Sequence, residues 1–168
     1  MLTLTACAST QRTIQLAPPY QVGNYHIAGY NVVNEGERHP LTFRPSVSEA
    51  ELQRVKDALH VMLPVALPQK TDTPIHMEIG LRNVNLSTNA AQSLFTGDTA
   101  TIQSRIRLYD PQDRNTIIGT SLVSAFGQGR AGIVGAASSA DISAEEEFDA
   151  LMAKYVTTLT YTLYPNLK

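Results

Sequence analysis

Between Ile75 and Leu86 the chain alternates apolar and polar residues and then changes phase. Ile75, Met77, Ile79 and Leu81 interleave with His76, Glu78, Gly80 and Arg82, after which Val84 and Leu86 carry the apolar set on the opposite parity. A period of two sends successive side chains to opposite faces of a strand, so this run buries one face and leaves the other solvated. The phase change predicts a bulge near Asn83, because one extra residue returns the apolar set to the same side. Ile102, Ile106 and Leu108 repeat the alternation against Gln103, Arg105, Arg107 and Tyr109. A dense turn signal at residues 110–115 then leads into a further strand carrying Ile118, Leu122 and Phe126, which makes these two strands a hairpin.

A sheet with one apolar face needs a cover, and two segments supply it. Ser48 and Glu51 form a capping box ahead of Val55, Leu59, Met62 and Leu63, which continue the helical spacing of Val47 and Leu52 until Pro64. Ser143 and Glu146 form a second box, with acidic residues at 145–147 suited to the positive end of a helix dipole. Phe148, Leu151, Met152, Tyr155, Val156, Leu159 and Leu163 mark the stripe that follows, up to Pro165. Tyr20 to Val33 mixes aromatic and β-branched residues and reads as a first strand that Gly23 and Gly29 allow to bend. The order β-α-β-β-β-α predicts an α+β two-layer sandwich: a four-stranded mixed sheet with both helices on one face. A right-handed crossover makes the first two strands parallel, and the hairpins make the rest antiparallel. The loops 34–46, 87–99 and 127–140 then leave one end of the sheet, and the N-terminal segment and C-terminus the other.

With 168 residues, 43% of them hydrophobic, the chain suits one well-buried domain. Thirteen basic against fifteen acidic residues and no basic block lack the footprint of a nucleic-acid binder. No apolar run approaches the ~20 residues of a spanning helix. A single cysteine excludes an internal disulfide.

The motifs offer little chemistry. Gly127-Gln128-Gly129-Arg130-Ala131-Gly132 spells the dinucleotide fingerprint, but a fresh helix cap at Ser143 intervenes and no parallel β-α-β unit follows, so no nucleotide is expected. His26, His39 and His60 stand on different elements without metal-ligand spacing, so neither metal nor cofactor is expected. His76, Glu78 and Arg82 on one strand face Arg105 and Arg107 on the next, which reads as cross-strand charge pairing on the solvated face. The hydroxyl-rich composition contains no nucleophile elbow, and an enzyme is not expected. Leu94 and Phe95 lie in a polar loop longer than a hairpin needs; they are candidates for a contact surface or for folding back over the sheet edge. Phe43 and Arg130, on the other two loops, join them as partner-binding candidates.

Leu4-Thr5-Ala6-Cys7 resembles the lipobox of bacterial lipoproteins: an aliphatic residue at −3 and small residues at −2 and −1 before the cysteine. The resemblance implies that Cys7 is lipidated and becomes the mature N-terminus, anchoring the chain to a membrane. A secretory leader carries a basic region and an apolar stretch ahead of the box, and only Met1-Leu2-Thr3 precedes it, so the start is expected to be truncated or assigned too far downstream. Ala8 stands where the family's inner-membrane retention signal has aspartate, so the resemblance implies the periplasmic face of the outer membrane in an organism that has one. On this reading residues 1–6 are a signal remnant, 7–19 the lipidated cysteine and its tether, and 20–168 a single domain. The layout resembles small outer-membrane-associated lipoproteins, including the lipopolysaccharide-assembly lipoprotein and auxiliary lipoproteins of transport systems. The expected function is non-catalytic binding or assembly with an envelope protein or component, through loops distal to the anchor. The alternatives are a carrier with an apolar pocket lined by Ile79, Ile106, Leu122 and Leu159, and, behind it, an envelope hydrolase.

Overall fold

The computed structural model describes residues 13–22, 24–36, 46–68, 73–86, 100–127 and 143–166. Its elements are β1 (Gln15–Leu16), β2 (His26–Asn34), α1 (Glu49–Ala66), β3 (Pro74–Asn85), β4 (Thr101–Tyr109), β5 (Ile117–Phe126) and α2 (Ala144–Leu163). The fold is α+β, with one mixed sheet in the order β1-β5-β4-β3-β2. β2 and β3 are parallel, and every other pairing is antiparallel.

The helices begin where their caps require. The hydroxyls of Ser48 and Ser143 accept from the backbone N–H of Glu51 and Glu146, whose carboxylates accept in return from the cap N–H groups. Pro64 does not end α1 as expected. Proline forfeits the bond to the carbonyl four residues back and crowds that carbonyl, yet the helix runs two residues further until the Leu67 N–H closes it on the Leu63 carbonyl. Between the helix starts, Arg54 lies over the Phe148 ring at 3.9 Å and reaches Glu145 at 2.6 Å. Both helices cover the same sheet face: Val55, Leu59, Leu63, Leu151, Met152, Tyr155 and Leu159 join Ile75, Met77, Ile79, Leu81, Ile102, Ile106 and Leu108 in one buried cluster.

The register explains two phase changes. Leu81 pairs with Ser104 and Asn83 with Gln103, so Arg82 is the extra residue that returns Val84 to the core, one position from the expected bulge. A second bulge was not expected. Leu108 pairs with Gly119 and Tyr109 with Ile117, leaving Ile118 as the extra residue on β5. Ile118, Val123 and Ala125 are therefore buried, whereas Leu122 and Phe126, grouped with Ile118 by their spacing, are half exposed.

The sheet has five strands rather than the expected four. Its additional strand lies in the segment read as tether, where Gln15 and Leu16 pair with Thr120 and Gly119. The Ala17 N–H donates to the Ile118 carbonyl at 2.7 Å, the Ile14 N–H to the Thr162 carbonyl at 3.1 Å, and the Ile14 side chain is buried. Gly119 permits this docking: a Cβ there would stand 2.6 Å from Leu16 Cδ2 and 3.1 Å from the Gln15 carbonyl oxygen. Because the clash involves backbone as well as side chain, Gly119→Val is expected to displace β1 and lower stability by ~1–3 kcal/mol. Urea unfolding would measure the loss, with hydrogen exchange at Ala17 reporting the freed strand; unchanged exchange there would reject the account.

Candidate functional site

The roots of the three long loops meet at one end of the sheet. The Glu35 N–H donates to the Leu81 carbonyl and the Val84 N–H to the Ser46 carbonyl, so both ends of the loop after β2 sit beside the end of β3. Asn34 Nδ2 donates to the Val47 carbonyl at 3.1 Å and fastens the same corner. Across the sheet the Gly127 N–H donates to the Ala100 carbonyl at 2.7 Å, which joins the end of β5 to the start of β4. The candidate contact residues Phe43, Leu94, Phe95 and Arg130 belong to these loops but lie outside the described residues, as does Cys7.

The uncovered face of the sheet holds the charge cluster anticipated from alternation. Glu78 and Arg107 are register partners, and Arg107 Nη1 donates to Glu78 Oε1 at 2.6 Å. Arg107 also binds Glu35, which the sequence placed in a loop and assigned no role. Glu35 lies over Gly80, where any Cβ would collide with its carboxyl group. Nothing in the sequence signals this juxtaposition, because the parallel pairing of β2 and β3 creates it. Tyr109 Oη donates to Glu78 Oε1 at 3.2 Å, and burial followed by the Glu78 charge raises its pKa. Arg105 makes a longer contact, 3.5 Å from Glu35 Oε2, and its side chain is 39% exposed against 20% for Arg107. Arg82 is exposed at its bulge, and His76 packs beside Gly29. Opposed charges that pair across neighbouring strands on a sheet face make a cross-strand network.

Beside this network an open groove of about 1160 Å³ runs along the β1–β5 edge, lined by residues 13–16, Val22, Arg105 and residues 120–122. Leu122 lies here, on the face opposite the core. Ile79, Ile106 and Leu159 are fully buried in the packed cluster. The four residues proposed to line a carrier pocket therefore share no cavity. A smaller cleft of about 210 Å³ between β2 and the end of α1 is lined by Ile27, Tyr30, Leu63 and Pro64 among others, and by no charged side chain. Among the described residues no three His, Cys, Asp or Glu side chains are grouped to hold a metal ion, and no helix is long and apolar enough to cross a membrane.

At the end of the sheet opposite the loop roots, Tyr20 Oη donates to Asp110 at 2.9 Å and ties the N-terminal segment to the β4–β5 turn. The Gln112 backbone N–H and then this hydroxyl hold the Asp110 carboxyl below its ordinary pKa. Tyr25 and Tyr164 stack with ring centroids 5.2 Å apart, and Tyr25 Oη donates to the Leu163 carbonyl.

The fold and these surfaces define an α+β domain with a cross-strand charge network on its uncovered sheet face and the roots of its long loops at one end. No family model matches the chain, and no curated protein matches it. Solved structures similar to it include a point variant of PelC, a dodecamer from Paraburkholderia phytofirmans (9% identity, 90% of this chain and 95% of that one, TM-score 0.48). A DUF330 protein from Xanthomonas campestris is similar at 13% identity over 90% of this chain and 92% of that one, with TM-score 0.44. A candidate lipoprotein from Caulobacter crescentus is similar at 13% identity over 67% of this chain and 76% of that one, with TM-score 0.31. At TM-scores below 0.5 none of them assigns a family or a function to this chain.

Proposed function

We propose that the protein is a membrane-anchored envelope lipoprotein: a non-catalytic α+β domain, held through lipid on Cys7, that binds an envelope protein or another envelope component with its loop end. The observation that carries the reading is the lipobox-like run Leu4-Thr5-Ala6-Cys7 ahead of a domain whose long loops are rooted together. Loops gathered at one end of a rigid sheet suit recognition, because the scaffold orients them while their sequences remain free to fit a partner. The internally paired Glu35–Arg107–Glu78 cluster supports a binding role over catalysis, since each charged group already has its counterion. The outer membrane facing the periplasm is the proposed location.

Photo-crosslinkers at Phe43 and Phe95 are expected to capture an envelope component in cells, whereas a crosslinker at Asn31, on the uncovered face of β2, is not. Capture from the sheet face alone rejects the loop end as the binding end. Mass spectrometry of membrane fractions is expected to find diacylglycerol and an acyl chain on Cys7; a free thiol there in soluble protein rejects the anchor.

A further inference from the structure

We infer that the β1–β5 edge is a membrane-contact surface, where phospholipid headgroups meet Arg105 and the boundary with the acyl chains meets Leu122. The inference rests on the proposed lipidation of Cys7 and adds the face of the domain that lipidation brings to the bilayer.

Chain length is the first argument. Continuing the antiparallel register from Gln15 and Thr120 sets Thr13 level with Leu122, midway along β5, and both line the groove. Five residues separate Cys7 from Thr13, and the six steps between them are at most about 20 Å of extended chain. The ten residues of β5 span more than that, about 33 Å. A lipid at Cys7 therefore keeps this flank near the bilayer. The solvent face of α1, on the opposite side of the sheet, lies farther from the point where the chain enters.

Charge is the second. Arg107 engages both Glu35 and Glu78, whereas among the described residues Arg105 makes one ion pair, at 3.5 Å from Glu35, with its side chain 39% exposed beside Leu122, its register partner. A guanidinium presents a fork of donors matched to phosphate. Around it the groove offers Thr13, Gln15, Thr120 and Ser121 as polar groups, with Leu16, Val22 and the 55%-exposed Leu122 as apolar ones. A soluble anion would use the arginine and leave Leu122 in water. The interface of a bilayer satisfies both, because phosphate and hydrocarbon lie there within one side-chain length. Because β1 runs antiparallel to β5, Thr13 lies nearer the loop-root end of the sheet than Leu16 does, so the N-terminal segment does not leave by the opposite end as expected.

The single cysteine allows a direct test. The full chain is coupled at Cys7 to a maleimide lipid and placed on phosphatidylethanolamine–phosphatidylglycerol nanodiscs carrying a gadolinium-chelating lipid. The exposed apolar side chains report by NMR relaxation from each direction: Leu122 from the uncovered sheet face, Val61 and Val65 from the helix layer, Ile117 and Phe126 from the two ends of β5. Relaxation of the Leu122 methyls is expected to be enhanced severalfold over Val61 and Val65, and Arg105→Glu is expected to erase most of that difference. Equal enhancement at all reporters, or the largest at Val61, Val65, Ile117 or Phe126, overturns the contact surface and leaves the lipoprotein reading standing if native Cys7 carries lipid. A free Cys7 thiol in native membranes overturns both.

Discussion

Raising the pH from 10 to 12 is expected to unfold the protein in one cooperative step, driven by tyrosines the fold holds neutral. Tyr25, Tyr155 and Tyr164 are all buried. Burial raises each above the ordinary tyrosine value of 10.0, Tyr164 to about 12 and the other two further. The sign follows from which state can ionise. Below pH 10 all three are neutral whether the chain is folded or not, and their packing contributes fully. Above pH 10 the unfolded chain loses these protons and the folded one does not, so stability falls until the folded-state values are reached. Each such group forfeits about 1.4 kcal/mol per pH unit, together about 4 kcal/mol at pH 11, a large share of the 5–15 kcal/mol typical of a domain. Absorbance at 295 nm and far-UV circular dichroism, followed together, should show these tyrosinates appearing only as the secondary structure is lost. Tyr155→Phe sharpens the test. It removes the 2.6 Å hydrogen bond with Ser104 and is expected to cost ~1–2 kcal/mol at pH 7. Because the phenylalanine cannot ionise, the deficit should shrink or reverse at pH 11. Ionisation of all seven tyrosines with the fold intact would contradict their burial.

How much of this was legible in the sequence divides along the range of the interactions. The capping boxes at Ser48 and Ser143, the helical stripes and the alternation of β3 and β4 depend on residues a few positions apart, and each formed where its pattern stood. The bulge at Arg82 was readable because two apolar pairs bracketed the change of parity. The bulge at Ile118 was hidden because Ile118, Leu122 and Phe126, four residues apart, preserve a single parity that only the register with β4 breaks. β1 was hidden for a different reason. Two residues carry no periodicity, and what holds Gln15 and Leu16 is the absence of a side chain at Gly119, more than a hundred positions away. Glu35 was missed in the same way, since its place over Gly80 and beside Arg107 exists only once β2 and β3 lie parallel. The loop candidates Phe43, Leu94, Phe95 and Arg130 rest on sequence alone, and the crosslinking experiment decides them.

Arg107→Met is expected to destabilise the domain by ~2–3 kcal/mol, several times the effect of Arg105→Met, although the two arginines are neighbours on one strand face. The difference lies in what each leaves behind. Arg107 is the shared counterion of Glu35 and Glu78, whose side chains are 18% and 23% exposed. Its removal leaves two carboxylates facing each other with little water to screen them. Arg105 is 39% exposed and, among the described residues, pairs with the far oxygen of Glu35 at 3.5 Å, so its loss resembles that of a surface pair, ~0–1 kcal/mol. Converting both acids in the Arg107→Met background, with Glu35→Gln and Glu78→Gln, should recover most of the deficit, because the repulsion goes with the charges. Urea unfolding of the two single variants and the triple variant measures all three quantities; equal, small losses for the two arginines would mean the cluster is solvated and uncoupled. The hierarchy also bears on the membrane-contact surface. With Arg107 absent, Glu35 has Arg105 as its nearest remaining cation, and drawing Arg105 toward it withdraws the guanidinium from the groove. Arg107→Met should therefore weaken the relaxation enhancement at Leu122 on gadolinium-bearing nanodiscs, and the triple variant should restore it. A stability loss without any change at Leu122 would separate the two roles and leave Arg107 purely structural.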